Sequence, residues 1–348
     1  MVVVLLGCGG TISMNRNKGT GFQPEFFIDD LLKQIPELKG FSDLETEQIL
    51  HEDSSNLQPE DWLLITRAIY DHINRSEVEG IVVVHGTDTL TYSASISALM
   101  VQNLPKPVIF TGSQIPLSRV GSDGRKNLID SIRVAKEVDI AESVIVFNNK
   151  IFRSVRTLKL REYEIAAFDT VDSPPIGDIS LNINILDRNH RKRNINSKAK
   201  YFPYLDPHVA LITLFPGLDP KSLEQMVFNG GYRGIILESY GAGNIPIKNR
   251  SLLPLINTLH EQNIPVTVTT QCIWGRTEMM LYESGRKAYQ AGAIPGYDMT
   301  SPTALLKKMW ALGKNKGAVS IEKIEKDMHT NYVGEINPEI IPREDLVD

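Results

Sequence analysis

One stretch of this sequence decides its fold: Ile81-Val82-Val83-Val84-His85-Gly86-Thr87-Asp88-Thr89-Leu90. The apolar, mostly β-branched residues at its start are typical of a strand buried in a parallel sheet. The small residues after them form a turn, and Thr87 or Asp88 is predicted to cap the following helix. A hydroxyl and a carboxylate thus stand just beyond the carboxyl end of a strand, where open α/β sheets bind ligands. The alternative interpretation is a capped turn without a chemical role.

On both sides of this stretch, apolar strand-like runs alternate with helical patterns, which predicts an α/β fold with a parallel sheet. The first run, 2–6, leads directly into Gly7-Cys8-Gly9-Gly10-Thr11. This turn has neither the spacing of a dinucleotide fingerprint nor the lysine of a P-loop, so it presents the hydroxyl of Thr11 instead. The polar residues 15–21 are predicted to form a mobile loop that can serve as a lid.

Composition excludes several classes of protein. The chain has 348 residues, 42% of them hydrophobic and 23% charged, and its net charge of −5 argues against a generic nucleic-acid binder. Two cysteines are too few for a disulfide framework, and Cys272 is expected to be buried. The run 2–6 is shorter than a secretory signal core, and no run reaches the ~18 apolar residues of a membrane helix. We therefore predict a cytoplasmic protein without membrane contacts.

The pattern changes near the middle of the chain, which suggests two domains. Residues 1–186 are predicted to form an N-terminal catalytic domain, and the polar, aperiodic residues 187–207 a linker. Residues 208–348 are predicted to form a C-terminal α/β domain. The histidines are scattered, so no metal site is expected.

Lys159 lies in the basic segment 153–161 and has two interpretations. Most lysines in charge-rich segments lie on solvated faces. The functional hypothesis requires Lys159 to turn inward and meet Asp88.

Three motifs together resemble the L-asparaginases: Gly9-Gly10-Thr11-Ile12, His85-Gly86-Thr87-Asp88-Thr89 and Thr111-Gly112-Ser113-Gln114-Ile115-Pro116. Further matches narrow the resemblance to the cytoplasmic, type I branch and extend it over nearly the whole chain. These matches are Asp53-Ser54-Ser55, Ser122-Asp123-Gly124, Phe147-Asn148-Asn149, Arg156-Thr157-Leu158-Lys159, Ser239-Tyr240-Gly241-Ala242-Gly243-Asn244, Thr270-Gln271-Cys272 and Asp298-Met299-Thr300.

The resemblance implies a two-domain asparaginase-like α/β fold, with a larger N-terminal parallel-sheet domain and a smaller C-terminal α/β domain. It implies hydrolysis of L-asparagine to L-aspartate and ammonia, with neither a metal ion nor an organic cofactor. It also implies a homo-oligomer, either a homodimer or a homotetramer.

The resemblance also assigns residues to the site. Thr11 falls on the family's flexible-loop threonine, and Thr87, Asp88 and Lys159 fall on its Thr–Asp–Lys group. The predicted substrate-binding set, around the turn that holds the substrate's α-carboxylate and amino end, is Asp53, Ser54, Ser55 and Gly86, together with Asn244 from a loop that contributes to a partner's site in related enzymes.

The chemistry agrees with this assignment. A threonine hydroxyl attacks an amide once a base takes its proton, and an acyl-enzyme divides one difficult step into two. A desolvated Lys159 is the predicted base, acting through Thr87, while Asp88 orients the lysine and pairs with the substrate's α-ammonium. Backbone N–H groups near Thr87 and Ser113 are candidate oxyanion donors. The sequence does not decide which threonine attacks; we favour Thr11 as the nucleophile, with Thr87 activating water.

Two other functions stay open. Phe22 stands where the family's lid usually carries Tyr, and loss of such acid–base assistance typically costs about 10²–10⁴ in rate. The first alternative is therefore that the chain is an amino-acid-binding protein that has lost most of its catalytic activity. The other alternative is an ammonia-supplying subunit of a tRNA-dependent amidotransferase, against which we count the absence of an extra N-terminal domain. Asparagine is favoured over glutamine as the substrate.

Overall fold

The computed structural model describes residues 1–17, 21–24, 26–41, 43–315 and 320–341, and the apolar runs of the sequence form its central strands. The chain divides by its contacts into two units, Met1–Pro203 and Tyr204–Asp348, each with its own hydrophobic core. The prediction of an α/β fold with a larger N-terminal and a smaller C-terminal part is confirmed.

The first unit contains short and long strands with helices between them. Its strands are β1 Val2–Gly9, β2 Met14–Asn17, β3 Gly21–Pro24, β4 Leu44–Glu52, β5 Val78–Val84, β6 Val101–Gln102, β7 Val108–Thr111, β8 Ser143–Phe147, β9 Lys150–Arg153, β10 Thr157–Lys159, β11 Phe168–Thr170, β12 Gly177–Ile179, β13 Ile183–Ile185 and β14 Lys200–Tyr201. Its α-helices are α1 Ile28–Lys33, α2 Pro59–Ile73, α3 Leu90–Met100 and α4 Gly124–Glu137.

The large sheet of this unit has the strand order β13-β12-β9-β8-β7-β5-β1-β4. The five strands from β8 to β4 are parallel, and β9, β12 and β13 are antiparallel, so the predicted parallel sheet is a mixed sheet with a parallel centre. The reversal occurs at Asn148 and Asn149, whose φ angles are 45° and 65°. Two successive residues of positive φ form the tight hairpin turn whose twist matches the flanking strands. The chain therefore returns beside β8 as β9.

Helices cover both faces of this sheet. Val82 and Val84 of β5 share a hydrophobic cluster with Leu128 and Ile132 of α4. Because side chains alternate along a strand, the residues between them face the opposite side, where α2 contacts β5. The connection from β1 leads to β4 on one side, and that from β5 leads to β7 on the other. This change of direction is a topological switch point, where open α/β sheets typically form a binding crevice at the carboxyl ends of their strands.

Two local predictions near this crevice are wrong. Helix α3 begins at Leu90, and neither Thr87 nor Asp88 is its N-cap, which is Thr89. The side chains of Thr87 and Asp88 are thus left for other partners. In the predicted loop 15–21, β2 pairs with β3 in an antiparallel hairpin with Arg16 opposite Phe22. Residues 18–20 and the side chain of Phe22 lie outside the described part of the structure.

Residues 187–201, which fall within the predicted linker 187–207, are hydrogen bonded to the first unit. Asp187 forms an ion pair with Arg153 at 3.1 Å, and Arg193 donates to the carbonyl of Glu79 at 2.8 Å. Strand β14 pairs with β6. Because of these contacts, the boundary between the units falls after Pro203.

The second unit has a four-stranded parallel sheet in the order β15-β16-β17-β18. Its strands are β15 Val209–Thr213, β16 Gly234–Ser239, β17 Val266–Thr270 and β18 Ile294–Pro295, and its α-helices are α5 Pro220–Asn229, α6 Leu253–Glu261, α7 Glu283–Gln290, α8 Ser301–Lys314 and α9 Ile321–His329. An ion pair lies inside this unit: Lys307 Nζ is 2.8 Å from Glu335 Oε1, and both side chains are fully buried.

The two cysteines have different surroundings. Cys8 is buried beneath the glycine-rich turn, and burial raises the pKa of its thiol. Cys272 is exposed, so the expectation that it is buried is wrong. Its backbone N–H donates to the hydroxyl of Thr270, which places it in a turn beyond the end of β17. None of the described helices combines the length and the hydropathy that a bilayer crossing requires.

Candidate active site

Hydroxyl-bearing residues follow the carboxyl ends of four neighbouring strands in the first unit. Thr11 follows β1, Ser54 follows β4, Thr87 follows β5 and Ser113 follows β7, and these strands are adjacent in the sheet. Parallel strands all end at the same edge, so side chains that are distant in the sequence converge there.

Two glycines bring the loops after β1, β5 and β4 into contact. A Cβ atom on Gly10, whose φ is 87°, would overlap the backbone of Gly86. A Cβ atom on Gly86 would come within 2.5 Å of Ser54 Oγ. Only glycine permits these approaches. Thr11 and Thr87 each adjoin this contact, and the predicted substrate-binding residues Gly86 and Ser54 touch each other.

Lys159 lies next to the residues that its functional interpretation requires. From the end of β10, its Nζ reaches Thr87 Oγ1 at 2.9 Å and Asp88 Oδ1 at 2.6 Å. Thr87 is only 5% exposed, whereas the side chain of Lys159 is 19% exposed and that of Asp88 is 60% exposed. The site therefore has a buried hydroxyl at its base and a carboxylate at its mouth.

The turn after β4 has a defined geometry. Asp53 Oδ1 accepts hydrogen bonds from both the backbone N–H and the hydroxyl of Ser55, each at 2.9 Å. Ser54 is buried, and its carbonyl accepts from the hydroxyl of Thr89 at 2.8 Å. These bonds connect the turn that carries the predicted substrate-binding residues to the turn that carries Thr87.

A buried carboxylate organises the loop after β7. Asp123 accepts from the backbone N–H groups of Gln114 and Ile115 at 3.0 Å and from the side chain of Asn127 at 3.0 Å. The Asn127 amide also donates to the carbonyl of Gly112 at 3.0 Å. This network fixes the backbone around Ser113, and its role did not emerge from the sequence, although Asp123 lies within a quoted motif.

Gln114 connects this loop to the segment after Lys159. Its side-chain amide donates to the carbonyl oxygens of Glu162 at 2.6 Å and Glu164 at 3.2 Å. Because these carbonyls lie three and five residues beyond Lys159, the amide restrains the chain that carries the lysine.

His85 is the residue whose role sequence reasoning missed. It lies at the end of the apolar strand β5, is fully buried, and its Nδ1 is 2.7 Å from the carbonyl oxygen of Gly86. Burial lowers the pKa of His85 to about 4. The available signal was a polar side chain on a buried strand face, directly before Gly86 and Thr87.

Within the described residues, no hydrogen bond joins Thr11 to this group. Thr11 begins the short 3-10 turn Thr11–Ser13 and is half-buried. Asn244 belongs to the second unit, where its side chain accepts from the hydroxyl of Ser284 at 2.7 Å. Phe22 lies in β3. No group of three or more His, Cys, Asp and Glu side chains in the described ranges is placed to hold a metal ion.

Comparisons with known proteins find two family models that match the chain, one in each unit. Residues 2–191 match the family model described as asparaginase, N-terminal, and residues 208–325 match that of the glutaminase/asparaginase C-terminal domain. The L-asparaginase of Thermococcus kodakarensis is 37% identical over 341 residues, which cover 97% of this chain and 99% of the relative.

Two further similarities are informative. The solved structure of the thermostable L-asparaginase from Thermococcus kodakarensis covers 97% of this chain and 99% of its own, with a TM-score of 0.87 at 35% identity. A subunit of the glutamyl-tRNA(Gln) amidotransferase from Pyrococcus abyssi is 33% identical over 346 residues, or 97% of this chain and 77% of the relative. Both matched domains, the full-length relative and the fold lead to one conclusion: this chain belongs to the asparaginase family.

Proposed function

We propose that this protein is an L-asparaginase, which hydrolyses L-asparagine to L-aspartate and ammonia through an acyl-enzyme. The observation that carries the proposal is the contact of Lys159 Nζ with both Thr87 Oγ1 and Asp88 Oδ1. A threonine hydroxyl next to an amine is a recurring arrangement for nucleophilic catalysis.

The proposed reaction uses two threonines. The Thr11 Oγ1 attacks the side-chain amide carbon, the C–N bond breaks, and the hydroxyl proton leaves with the departing ammonia. Water then attacks the acyl carbon and gives one proton, through Thr87, to Lys159. As the C–O bond to Thr11 breaks and aspartate is released, this proton passes to the Thr11 oxygen, which restores the Thr11 hydroxyl and the starting state of Lys159. The Thr87 N–H is a candidate donor to the oxyanion that forms in each step.

Substrate binding is proposed to use the two turns that Thr89 connects. Asp88, exposed at the mouth of the site, pairs with the α-ammonium group of the amino acid. Ser54, Ser55 and Gly86 provide hydroxyl and backbone donors for its α-carboxylate, and Asp53 holds Ser55 in place. An α-amino acid is thereby held by both charged groups on its α-carbon.

The test is ammonia release from L-asparagine and from L-glutamine, with mass spectrometry of the protein during turnover. Thr87→Ala should lower kcat by at least about 10³-fold, and should accumulate an aspartyl ester on Thr11, because deacylation is lost. Thr11→Ala should release no ammonia and form no ester. The matched control is Thr111→Val, because Thr111 is a fully buried threonine in the neighbouring strand whose hydroxyl donates to Val146.

The outcomes separate the hypotheses. An ester on Thr87, or full activity of Thr87→Ala, contradicts the assigned roles. A wild type that binds asparagine without releasing ammonia, while Phe22→Tyr releases it, indicates the amino-acid-binding alternative with a weakened lid. If both the wild type and Phe22→Tyr bind asparagine without releasing ammonia, the protein is an amino-acid-binding protein whose catalysis the phenol does not restore.

The second candidate is an ammonia-supplying amidotransferase subunit, favoured by the similarity to the glutamyl-tRNA(Gln) amidotransferase subunit of Pyrococcus abyssi. This function predicts that glutamine hydrolysis needs a partner protein and rises when glutamyl-tRNA is added. Asparagine hydrolysis by the purified chain alone, unchanged by tRNA, favours the asparaginase.

We propose further that the protein acts in the cytoplasm as a homodimer or homotetramer. The compartment is supported by two free cysteines. The assembly is supported by large apolar side chains that the second unit exposes within one segment: Ile273, Trp274, Met280, Leu281 and Tyr282. Analytical ultracentrifugation of the wild type beside Trp274→Glu tests this, and a monomeric wild type contradicts it.

A further inference from the structure

The imidazole of His85 has one hydrogen bond among the described residues, and that bond defines its protonation state. Its Nδ1 is 2.7 Å from the carbonyl oxygen of Gly86. A carbonyl oxygen can only accept, so Nδ1 carries the hydrogen. The other ring nitrogen, Nε2, is then a bare acceptor; it is buried and has no partner in the described part of the chain. Burial lowers the pKa of this imidazole to about 4, so the same tautomer persists through neutral pH.

The accepting carbonyl belongs to a peptide that matters for catalysis. In a trans peptide the C=O and the N–H point in opposite directions. With the carbonyl of Gly86 held by His85, the N–H of Thr87 points away from the imidazole. Within the described part of the chain this N–H has no hydrogen-bond acceptor. An unoccupied N–H beside a reacting hydroxyl is suited to an oxyanion.

Glycine makes this peptide easy to turn. Position 86 requires glycine because a Cβ atom there would meet Ser54 Oγ at 2.5 Å. Glycine, however, adopts backbone angles that other residues avoid, so the peptide that follows it can rotate more freely. A rotated peptide would present its carbonyl oxygen, with its partial negative charge, where the oxyanion forms. The close approach of the loops therefore requires a glycine, and the freedom of that glycine has to be limited by another residue.

We propose that His85 is a positioning residue that supplies this restraint, holding the Gly86–Thr87 peptide with its N–H directed toward the reacting carbonyl of the substrate. The inference rests on the proposed function, since it concerns the oxyanion of that reaction. The ring itself is held in place by its neighbours. It lies edge-on to Phe110 with centroids 6.3 Å apart, and the His85 backbone N–H donates to Thr111 at 2.8 Å.

A pair of amide substitutions isolates the role of Nδ1. The amide nitrogen of Asn occupies the position of Nδ1, and that of Gln occupies the position of Nε2. His85→Asn therefore keeps the donor to Gly86 and should retain kcat within about 5-fold. His85→Gln loses it, and kcat should fall about 10–100-fold with KM changed less than about 3-fold, because the oxyanion forms only in the transition state. Ser143→Ala is the control, since it removes another buried side-chain donor to a backbone carbonyl, the hydroxyl that donates to Ala94.

Each outcome decides between the claims. Equal kcat in the Asn and Gln variants, or a Gln defect that appears in KM or thermal stability alone, overturns the positioning role while leaving the asparaginase proposal in place. Nitrogen NMR that shows the wild-type imidazole protonated on Nε2 instead of Nδ1 overturns it as well. A wild type without amide hydrolysis overturns both proposals together. The expected result is an Nδ1–H tautomer, rescue by Asn and loss by Gln.

Discussion

Two lysines in this molecule are held in opposite ways. Lys307, in the second unit, is fully buried and gives its hydrogen bonds to Glu335 and to the carbonyls of Met328 and Thr330, at 2.7–2.8 Å. An ammonium group has three donors, so its capacity is filled. Among the described residues, the Lys159 ammonium donates hydrogen bonds to Thr87 and Asp88 only, and its side chain is partly open to solvent. A filled set of partners is typical of a structural ion pair, whereas an unfilled one at a strand edge is suited to a ligand.

Replacing each lysine by methionine should separate these roles most strongly. Lys159→Met should lower kcat for asparagine by about 10³–10⁴-fold, because the relay through Thr87 loses its base, with little change in stability. Steady-state ammonia release and thermal unfolding of the same preparations test this. If Lys159→Met has a lowered unfolding temperature but a normal kcat below that temperature, the comparison between the lysines fails.

Lys307→Met should have the opposite effect. The free energy of unfolding should fall by about 3–5 kcal/mol, because Glu335 is left as a buried charge without its partner. The N–H groups of Tyr332 and Val333 donate to different oxygens of Glu335. The double variant Lys307→Met with Glu335→Gln should recover part of the loss, since it removes the buried charge and its amide oxygen still accepts from one of these two groups. Urea denaturation measures both values. A double variant as unstable as the single one would show that the charge is not the cause.

The imidazole of His85 should make the first unit sensitive to mild acid. Its pKa is lowered to about 4 in the folded state, from about 6.5 when unfolded. Below pH 6.5 the unfolded state therefore binds a proton that the folded state refuses, so stability falls as the pH drops from about 6.5 to about 4. The loss amounts to about 3 kcal/mol at most. The difference in unfolding free energy between wild type and His85→Asn should follow this curve, since the carboxylates are common to both proteins; a difference that is constant with pH would contradict it.

The smallest expected effect concerns Gln114, whose amide restrains the chain after Lys159. Gln114→Glu places a carboxylate against the carbonyls of Glu162 and Glu164 and should lower kcat about 3–10-fold. The control is Gln102→Glu, because the Gln102 amide also donates to a backbone carbonyl, but to that of Leu99 in α3 and not to the segment after Lys159. Equal effects of the two changes would mean that Gln114 has no special relation to the lysine.

Local patterns predicted the central elements well. The apolar runs 2–6 and 81–84 both form strands of the central sheet. Strands β1 and β5 are longer than predicted at one end only, because glycine and charged residues extend the pairing beyond the apolar run.

The antiparallel edge of the sheet was not predicted, for a physical reason. Strands β9, β12 and β13 are three or four residues long, and the charges of β9 are typical of a loop. The pairing of β9 with β12 joins segments separated by residues 154–176, so local patterns do not indicate it. The approach of Lys159 to Thr87 is likewise non-local, so only the resemblance to a family suggested it; spacing alone left a solvated lysine as the alternative. The orientation of the Gly86–Thr87 peptide was not predicted either, because it depends on the position of the His85 ring in the folded chain.

The contact between Gly10 and Gly86 also limits how this protein can be redesigned. Libraries that vary residues around an active site usually include the neighbours of the reacting groups, and here two such neighbours tolerate no side chain. The space between the loops that carry Thr11 and Thr87 is set by two backbones in contact, so it cannot be widened in small steps for a longer amide. A change of substrate length has to be sought instead in the β2–β3 hairpin, in the turn at Asp53, or in the loop around Gln114.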